Sequence, residues 1–406
     1  MEHPLSADQG MGALLEAPVT LVEETLPLQE AFGRVLARTV TAQIPSPPFA
    51  RSPYDGYALR SADTAAAAPE HPVRLGLLGE LAAGAAPSLA VEPGRAVKVL
   101  TGAPVPAGAD AVVKYEDVRF GADWVEFSAP CPPGNIVPMG EDVAAGAVLA
   151  QAGEPITGPV MGVLAGQGLE TVRVWRRPRV SVVSTGSELT PPGRPLAPGH
   201  IYSTNLYTLG GLLRGMGAQV EDGGIVPDDP QAVAGQLLRE LGRSDLVVVT
   251  GGASVGDYDY TRRALDQLGA KLLFCRLAFK PGGAMMAGLV SGKVVLGLSG
   301  NPGAAAVGLL RVGAPYVHKL CGRSQVEYPQ MWVRLKEPLK KASPQTRLVR
   351  GRLEVEEGQA LFVQNPGQYN GAVSSLLHCD LLAQIPAGSP PLSAGTLVRA
   401  YRVGNP

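Results

Sequence analysis

The chain has 406 residues, 35 Lys+Arg against 36 Asp+Glu, a formal net charge of −1 and 45% hydrophobic residues. That balance excludes a general basic surface for nucleic acid or anionic lipid, so an anion site has to be built locally from loops and a few cations. The 51 glycines and 37 prolines alternate with Val/Leu/Ile runs and read as ordered turns between short strands, in a protein of more than one domain.

In chain order, Ser6 to Arg38 has helical patterning: Ala13, Leu14 and Val22 sit among Glu16, Glu23 and Glu24, followed by Leu26, Leu28, Ala31, Phe32, Val35 and Leu36, with a possible break at Gly33. Ile44-Pro45-Ser46-Pro47-Pro48-Phe49 is then a rigid extended connector and an internal boundary. Residues 55 to 150 hold short strand-like runs at Val73–Leu78, Ala96–Leu100, Ala111–Tyr115 and Trp124–Ser128, the rhythm of a small β barrel or open sheet. From Arg179 the rhythm becomes α/β. Strands are expected at Val180–Ser184, Gln219–Val226, Asp245–Thr250, Leu272–Leu277 and Lys293–Leu298, and helices near Tyr202–Met216, Pro230–Leu241, Tyr260–Leu268 and Pro302–Cys321. Asp228 and Asp229 before Pro230 make a good helix start. Gln330 to Val403 returns to strand-length runs, Met331–Leu335 and Thr396–Val403 among them, as a small β domain.

Cys131, Cys275, Cys321 and Cys379 form no Cys-x-x-Cys pair, and the five histidines have no paired spacing. Zinc knuckles and redox motifs are therefore excluded, carboxylates remain as ligands for a hard cation such as Mg²⁺, and a reduced, cytoplasmic setting fits. Met1–Gly10 carries Glu2 and Asp8 and has no apolar core of a signal peptide. The longest weakly charged stretch, Met285–Leu310, is broken by Gly292, Lys293, Gly300 and Pro302, so no membrane span is expected.

In an open α/β sheet, ligands sit outside the carboxyl ends of the strands. Three expected strands run into glycine loops there: Thr185-Gly186-Ser187-Glu188-Leu189; Gly251-Gly252-Ala253-Ser254-Val255-Gly256-Asp257-Tyr258-Asp259; and Ser299-Gly300-Asn301-Pro302-Gly303. Each alone is an ordinary strand-to-helix turn; together they suit an anion held by backbone N–H groups. Glu188, Asp245, Asp257 and Asp259 supply carboxylates for Mg²⁺ beside a phosphate. Asp257 reads equally as a helix cap, Asp245 as the start of a strand, and Lys280 as either a phosphate contact or a solvated surface lysine.

Taken with Asp55-Gly56-Tyr57-Ala58, Thr101-Gly102-Ala103-Pro104-Val105-Pro106-Ala107-Gly108-Ala109-Asp110, Gly140-Glu141-Asp142, Lys280-Pro281-Gly282, Arg350-Gly351 and Gly371-Ala372-Val373-Ser374-Ser375-Leu376, these loops resemble the molybdopterin molybdenumtransferase family, the MoeA type that includes the gephyrin E domain. The resemblance implies a multidomain α+β and α/β fold. Its parts would be an elongated helix/β N-terminal domain (1–44 and 151–175) serving dimerisation, an inserted β domain (45–150), a central α/β molybdopterin-binding domain (176–325) and a small C-terminal β-barrel-like domain (326–406). It implies a homodimer with its active site between subunits, in which molybdate is inserted into adenylylated molybdopterin with Mg²⁺ and release of AMP. Other molybdenum cofactor biosynthesis proteins would be further partners.

By the same resemblance Asp55, Thr101, Asp142, Glu188, Asp245 and Asp259 are catalytic, with Glu188, Asp245 and Asp259 on the metal. Ser187, Gly251, Gly252, Ser254, Gly256, Lys280, Gly300, Asn301, Pro302, Arg350, Ser374 and Ser375 would bind the pterin substrate. The chain departs from the family pattern at Tyr54, Val137, Gly283 and Gly303, and two of these changes remove an arginine and a lysine. A non-catalytic or low-activity pterin-binding or scaffold paralogue is the alternative.

Overall fold

The computed structural model describes residues 4–252 and 260–404. They form two compact units: Thr39–Gln151 with Gly158–Glu170, and the remainder of the described chain.

The core of the larger unit is a six-stranded sheet in the order Gln219–Val226, Arg179–Thr185, Leu246–Thr250, Lys293–Leu298, Met286–Val290, Lys271–Cys275. The first four strands run parallel, Met286–Val290 runs against them, and Lys271–Cys275, antiparallel to it, returns to their direction. Alternate side chains of these apolar runs face opposite ways, as a strand requires. Val180, Val182, Leu246 and Val248 join the core under the helices Ala7–Leu15, Asn205–Gly215 and Pro302–Gly308, while Val183, Val247 and Val249 pack with Pro230–Arg243 and Tyr260–Gln267. The helix expected over Pro302–Cys321 runs on from Pro302–Gly308 through a π turn, Leu309–Gly313, to Ala314–Leu320. Its small residues Ala304, Ala305 and Ala306 are buried and let it lie close to the sheet.

The C-terminal strands Thr346–Glu356, Gln359–Gln364, Gln330–Leu335, Leu397–Arg402 and Leu381–Ile385 close into a five-stranded barrel, since the last pairs back onto the first. Closure removes the open edges such a small sheet would otherwise expose. Phe279–Lys280 adds a short parallel piece to Thr346–Glu356.

The smaller unit carries an open six-stranded sheet in the order Ala111–Lys114, Gly56–Leu59, Arg95–Val99, Val73–Leu81, Trp124–Phe127, Arg119–Phe120. All pairs are antiparallel except Val73–Leu81 with Arg95–Val99.

The helical reading of Ser6 to Arg38 holds only for Ala7–Leu15, which starts on a capping box between Ser6 and Gln9. Beyond it Pro18 and Pro27 interrupt the helix and β-branched residues fill the gap, so Glu23–Pro27 is a strand paired with Thr171–Trp175. Gly33, at φ +70°, turns the chain after the short 3₁₀ segment Leu28–Glu30. The strands Gly56–Leu59 and Met286–Val290 carry no apolar alternation that would announce them. No helix among the described residues is long and apolar enough to cross a membrane, and the four cysteines are free.

Candidate active site

The strand order places a topological switch between Arg179–Thr185 and Leu246–Thr250, where chain connections leave in opposite directions. A cavity of about 630 Å³ opens at the carboxyl ends of these strands. Its walls come from the loop after Thr185, the segment Ser203–Asn205 that opens a helix, Gly251 and Gly252, the turn Ser299–Pro302, the Ala284–Met286 segment, and Asn370 from a loop of the barrel domain. The glycines permit this close approach. A Cβ on Gly251, whose φ is +94°, would stand 2.4 Å from Thr185 Oγ1 and 2.6 Å from its carbonyl oxygen. The Ser299–Pro302 turn is pinned by Asn205, whose Nδ2 donates to Gly300 O at 2.9 Å, and by Ser299 Oγ accepting from Asn301 N–H at 3.2 Å.

Three buried polar atoms on this wall, Thr185 Oγ1, Ser203 Oγ and Asn205 Oδ1, have no hydrogen-bond partner among the described residues. Buried polar groups are normally paired, so three orphans in one cavity mark positions for ligand or ordered solvent. Among the described residues two carboxylates line the cavity, Glu188 and Asp228. Asp228 Oδ2 accepts from Ser187 N–H at 3.1 Å, and Ser187 Oγ accepts from Asp228 N–H at 3.4 Å, which ties two of the strand-end loops together. Arg276 is the cationic side chain on the wall among the described residues; its backbone is in the left-handed region, φ +73°, anchored by donation from its N–H to Met285 O. A non-glycine residue there is uncommon and is held by its surroundings.

No group of three metal-ligating side chains occurs among the described residues. The carboxylates Glu188 and Asp228 on this wall fit Mg²⁺, which takes one or two protein carboxylates and completes its shell from substrate phosphates and water.

Of the sequence-predicted residues, Glu188, Gly251, Gly252, Gly300, Asn301 and Pro302 line this cavity, with Ser187 held beside it by Asp228. Ser254, Gly256, Asp257 and Asp259 lie outside the described residues. Asp245 is not brought to them. It precedes the strand Leu246–Thr250 and so sits at the opposite, amino edge of the sheet, where it pairs with Arg176 at 2.9 Å and accepts from Arg179 N–H at 2.8 Å. Asp228, read as part of a helix start, lines the cavity beside Glu188, while Asp229 is the N-cap, accepting from Ala232 N–H at 2.7 Å.

Lys280 is exposed, on the short piece added to the barrel, and does not line the cavity. Arg350 is fully buried: its Nε and backbone N–H donate to Gln368 Oε1, Nη2 donates to Tyr369 O, and burial draws its pKa below the ordinary value. Its Nη1 has no partner among the described residues and would stand 2.5 Å from a Cβ on Gly303. Ser375 is buried and donates to Ala372 O, whereas Ser374 is exposed.

In the smaller unit the structure brings Asp55 and Thr101 together. Asp55 Oδ1 accepts from Thr101 N–H at 2.6 Å and from its Oγ1 at 2.8 Å. These bonds, the backbone one first, hold the Asp55 carboxyl below its usual pKa. Asp142 is exposed and lies outside the shallow cavity around Asp55, which Tyr54 and Lys114 share. The Lys114 ammonium stands 4.2 Å from the Tyr54 ring centroid, a use for the ring at this position.

Two departures from the family pattern have a steric reason. A Cβ on Gly283 would stand 2.2 Å from Phe279 O and 2.4 Å from Leu277 O. At Gly303 the space belongs to the Arg350 guanidinium and the carbonyls of Asn370 and Ala372.

Thr185, Ser203, Asn205, Asp228, Arg276 and Asn370 were not singled out from sequence as site residues. Asp228 was available to such reasoning, because it follows a strand directly and therefore lies at the carboxyl edge.

The chain matches the MoeA N-terminal region (domains I and II) over residues 5–168, a probable molybdopterin binding domain over 181–319, and the MoeA C-terminal region (domain IV) over 333–403. A molybdopterin molybdenumtransferase of Staphylococcus epidermidis is 32% identical over 397 residues, 97% of this chain and 94% of that one. The chain belongs to the MoeA family of molybdopterin molybdenumtransferases. A Staphylococcus aureus member is 31% identical over 98% of this chain and 95% of its own. The MoeA structure from Pyrococcus horikoshii covers 98% of this chain and all of its own, with 28% identity and a TM-score of 0.83. A molybdenum cofactor biosynthesis protein from Pyrococcus furiosus shares the fold at 17% identity and a TM-score of 0.59. The MoeA architecture thus accounts for the whole chain, including the central α/β domain and the closed C-terminal barrel.

Proposed function

We propose that this MoeA-family protein inserts molybdenum from molybdate into adenylylated molybdopterin with release of AMP, in the cavity at the carboxyl edge of its central sheet. The observation that carries the reading is the convergence there, among the described residues, of three unpartnered buried polar atoms, two carboxylates and one arginine. Glycine backbones at 251, 252 and 300 allow a pyrophosphate to approach N–H groups closely. Thr185, Ser203 and Asn205 supply hydrogen bonds that orient the ligand, and Arg276 neutralises charge that grows on the departing phosphate. Glu188 and Asp228 would hold Mg²⁺, and the Asp228–Ser187 tether fixes one of them. When bound, Mg²⁺ polarises the phosphoanhydride and stabilises the leaving oxygen. Asp55, kept ionised by Thr101, and Asp142 take the further catalytic roles that the family resemblance assigns them.

The same reading includes a homodimer formed through the segments 1–44 and 151–175, in a cytoplasmic setting supported by the free cysteines. The apolar helix Gly158–Gly166 buries only Leu164, and Gly158, Gly162 and Gly166 have open space beside them, which suits close packing with a second copy.

The test is AMP release by the purified protein from adenylylated molybdopterin with molybdate and Mg²⁺. Release with molybdenum recovered on the pterin is expected; binding of the pterin nucleotide without any release would overturn the enzymatic reading.

A further inference from the structure

The amino edge of the central sheet has a polarity of its own. Four arginines, Arg34, Arg176, Arg177 and Arg323, line one narrow crevice with Trp175 and Cys321. Two carboxylates answer them. Arg34 pairs with Glu24, and Arg176 with Asp245. Arg177 is exposed and its side chain has no ion pair or hydrogen bond among the described residues, and Arg323 reaches only a carbonyl, with Nη2 donating to Met216 O at 3.2 Å. Two positive charges are therefore uncompensated.

Their donors are also unfinished. Arg34 is 8% exposed; its Nη2 donates to Trp175 O at 2.8 Å, yet its Nε is buried without a partner among the described residues, as is Nε of Arg323. Leaving a buried charged donor unpaired costs more than leaving a neutral one, so two in one crevice call for an acceptor from outside. Cys321 does not supply it: burial pushes its thiol up to about 11, against the pull of Arg323, Arg177 and Arg34, and it stays neutral. The crevice has room for about 10 Å³, one oxygen atom but no ring, and Arg177 is an exposed side chain on its lining, free to meet the remaining oxygens.

We propose that this crevice is a second anion site, separate from the substrate cavity, taking a small tetrahedral oxyanion that places one oxygen between Arg34 and Arg323 and the others against Arg177. Phosphate, sulfate and molybdate share the chemistry; pterins and nucleobases are too large to enter.

The test is calorimetric titration of the full chain with each of the three anions, at ionic strength held constant with chloride. One saturable site per chain that persists in Arg276→Gln is expected for each anion, beside any molybdate bound in the substrate cavity. Arg177→Gln, a change at an exposed side chain, should weaken it about tenfold without altering the melting temperature in anion-free buffer, and Arg323→Gln should weaken it too. Arg276→Gln, which alters the substrate cavity, should leave this site's affinity in place. Preference for molybdate would mark a holding site for the metal oxyanion, and equal affinities a general oxyanion site; both support the proposal. No saturable binding, or binding lost in Arg276→Gln and kept in Arg177→Gln, would overturn it.

Discussion

The two edges of the central sheet use similar residues to opposite ends. At the carboxyl edge Asp228 leans on a backbone N–H and faces a cavity with unpartnered polar atoms. At the amino edge Asp245 is spent on Arg176 and the Arg179 N–H, and arginines are left in excess. The difference follows from strand direction: parallel strands present their loop openings and free N–H groups on one side and their entries on the other. An aspartate's chemistry here is decided by whether it leaves a strand or leads into one.

The largest effect expected from breaking this contrast is at Asp228. Asp228→Asn should lower AMP release on the order of a hundredfold, with folding retained, because the asparagine oxygen still accepts from Ser187 N–H. Next is Gly283→Lys, which restores a family lysine beside the cavity wall. The backbone oxygens at 2.2 and 2.4 Å from its Cβ leave no room, so a stability loss of about 1–3 kcal/mol should appear in denaturant unfolding, and no gain in activity. Asp245→Asn should cost about 1 kcal/mol through the half-exposed pair with Arg176 and leave turnover near wild type.

The smallest expected effect is in the other unit. Because Asp55 is held below its usual pKa, the stabilisation from its bonds to Thr101 is present above the unfolded carboxyl pKa and disappears as pH falls through the lower folded value. Thr101→Val removes the hydroxyl bond and keeps the stronger backbone one. Carboxyl NMR titration should then find the Asp55 pKa moved upward, though still below the ordinary range; an unchanged value would contradict the assignment of part of the shift to the hydroxyl.

Much of the sheet was legible because its strands are unbroken apolar runs bounded by Gly, Pro and Asp. Val180–Ser184, Gln219–Val226 and Lys293–Leu298 sit inside or on the observed elements, and the capped helix after Asp229 is where its proline placed it. The stretch after Leu15 was misread because spaced apolar residues mimic a helix when pairing with a strand about 150 residues away, Thr171–Trp175, is not visible in the sequence. In the site, Glu188, Gly251 and Gly300 were legible as glycine-loop residues following strands. Thr185, Ser203 and Asn205 were not, because an unpartnered buried oxygen is a property of packing that no local pattern carries. Gly283 and Gly303 read as departures from the family pattern, and their neighbours show that a side chain has no room there.

The most direct test of the account measures AMP release and pterin-bound molybdenum for wild type, Asp228→Asn and Asp245→Asn side by side. The structure predicts that the first substitution lowers both products about a hundredfold in a folded protein while the second leaves both near wild type. The reverse order, with Asp245→Asn inactive and Asp228→Asn active, would place the chemistry elsewhere than at the carboxyl edge.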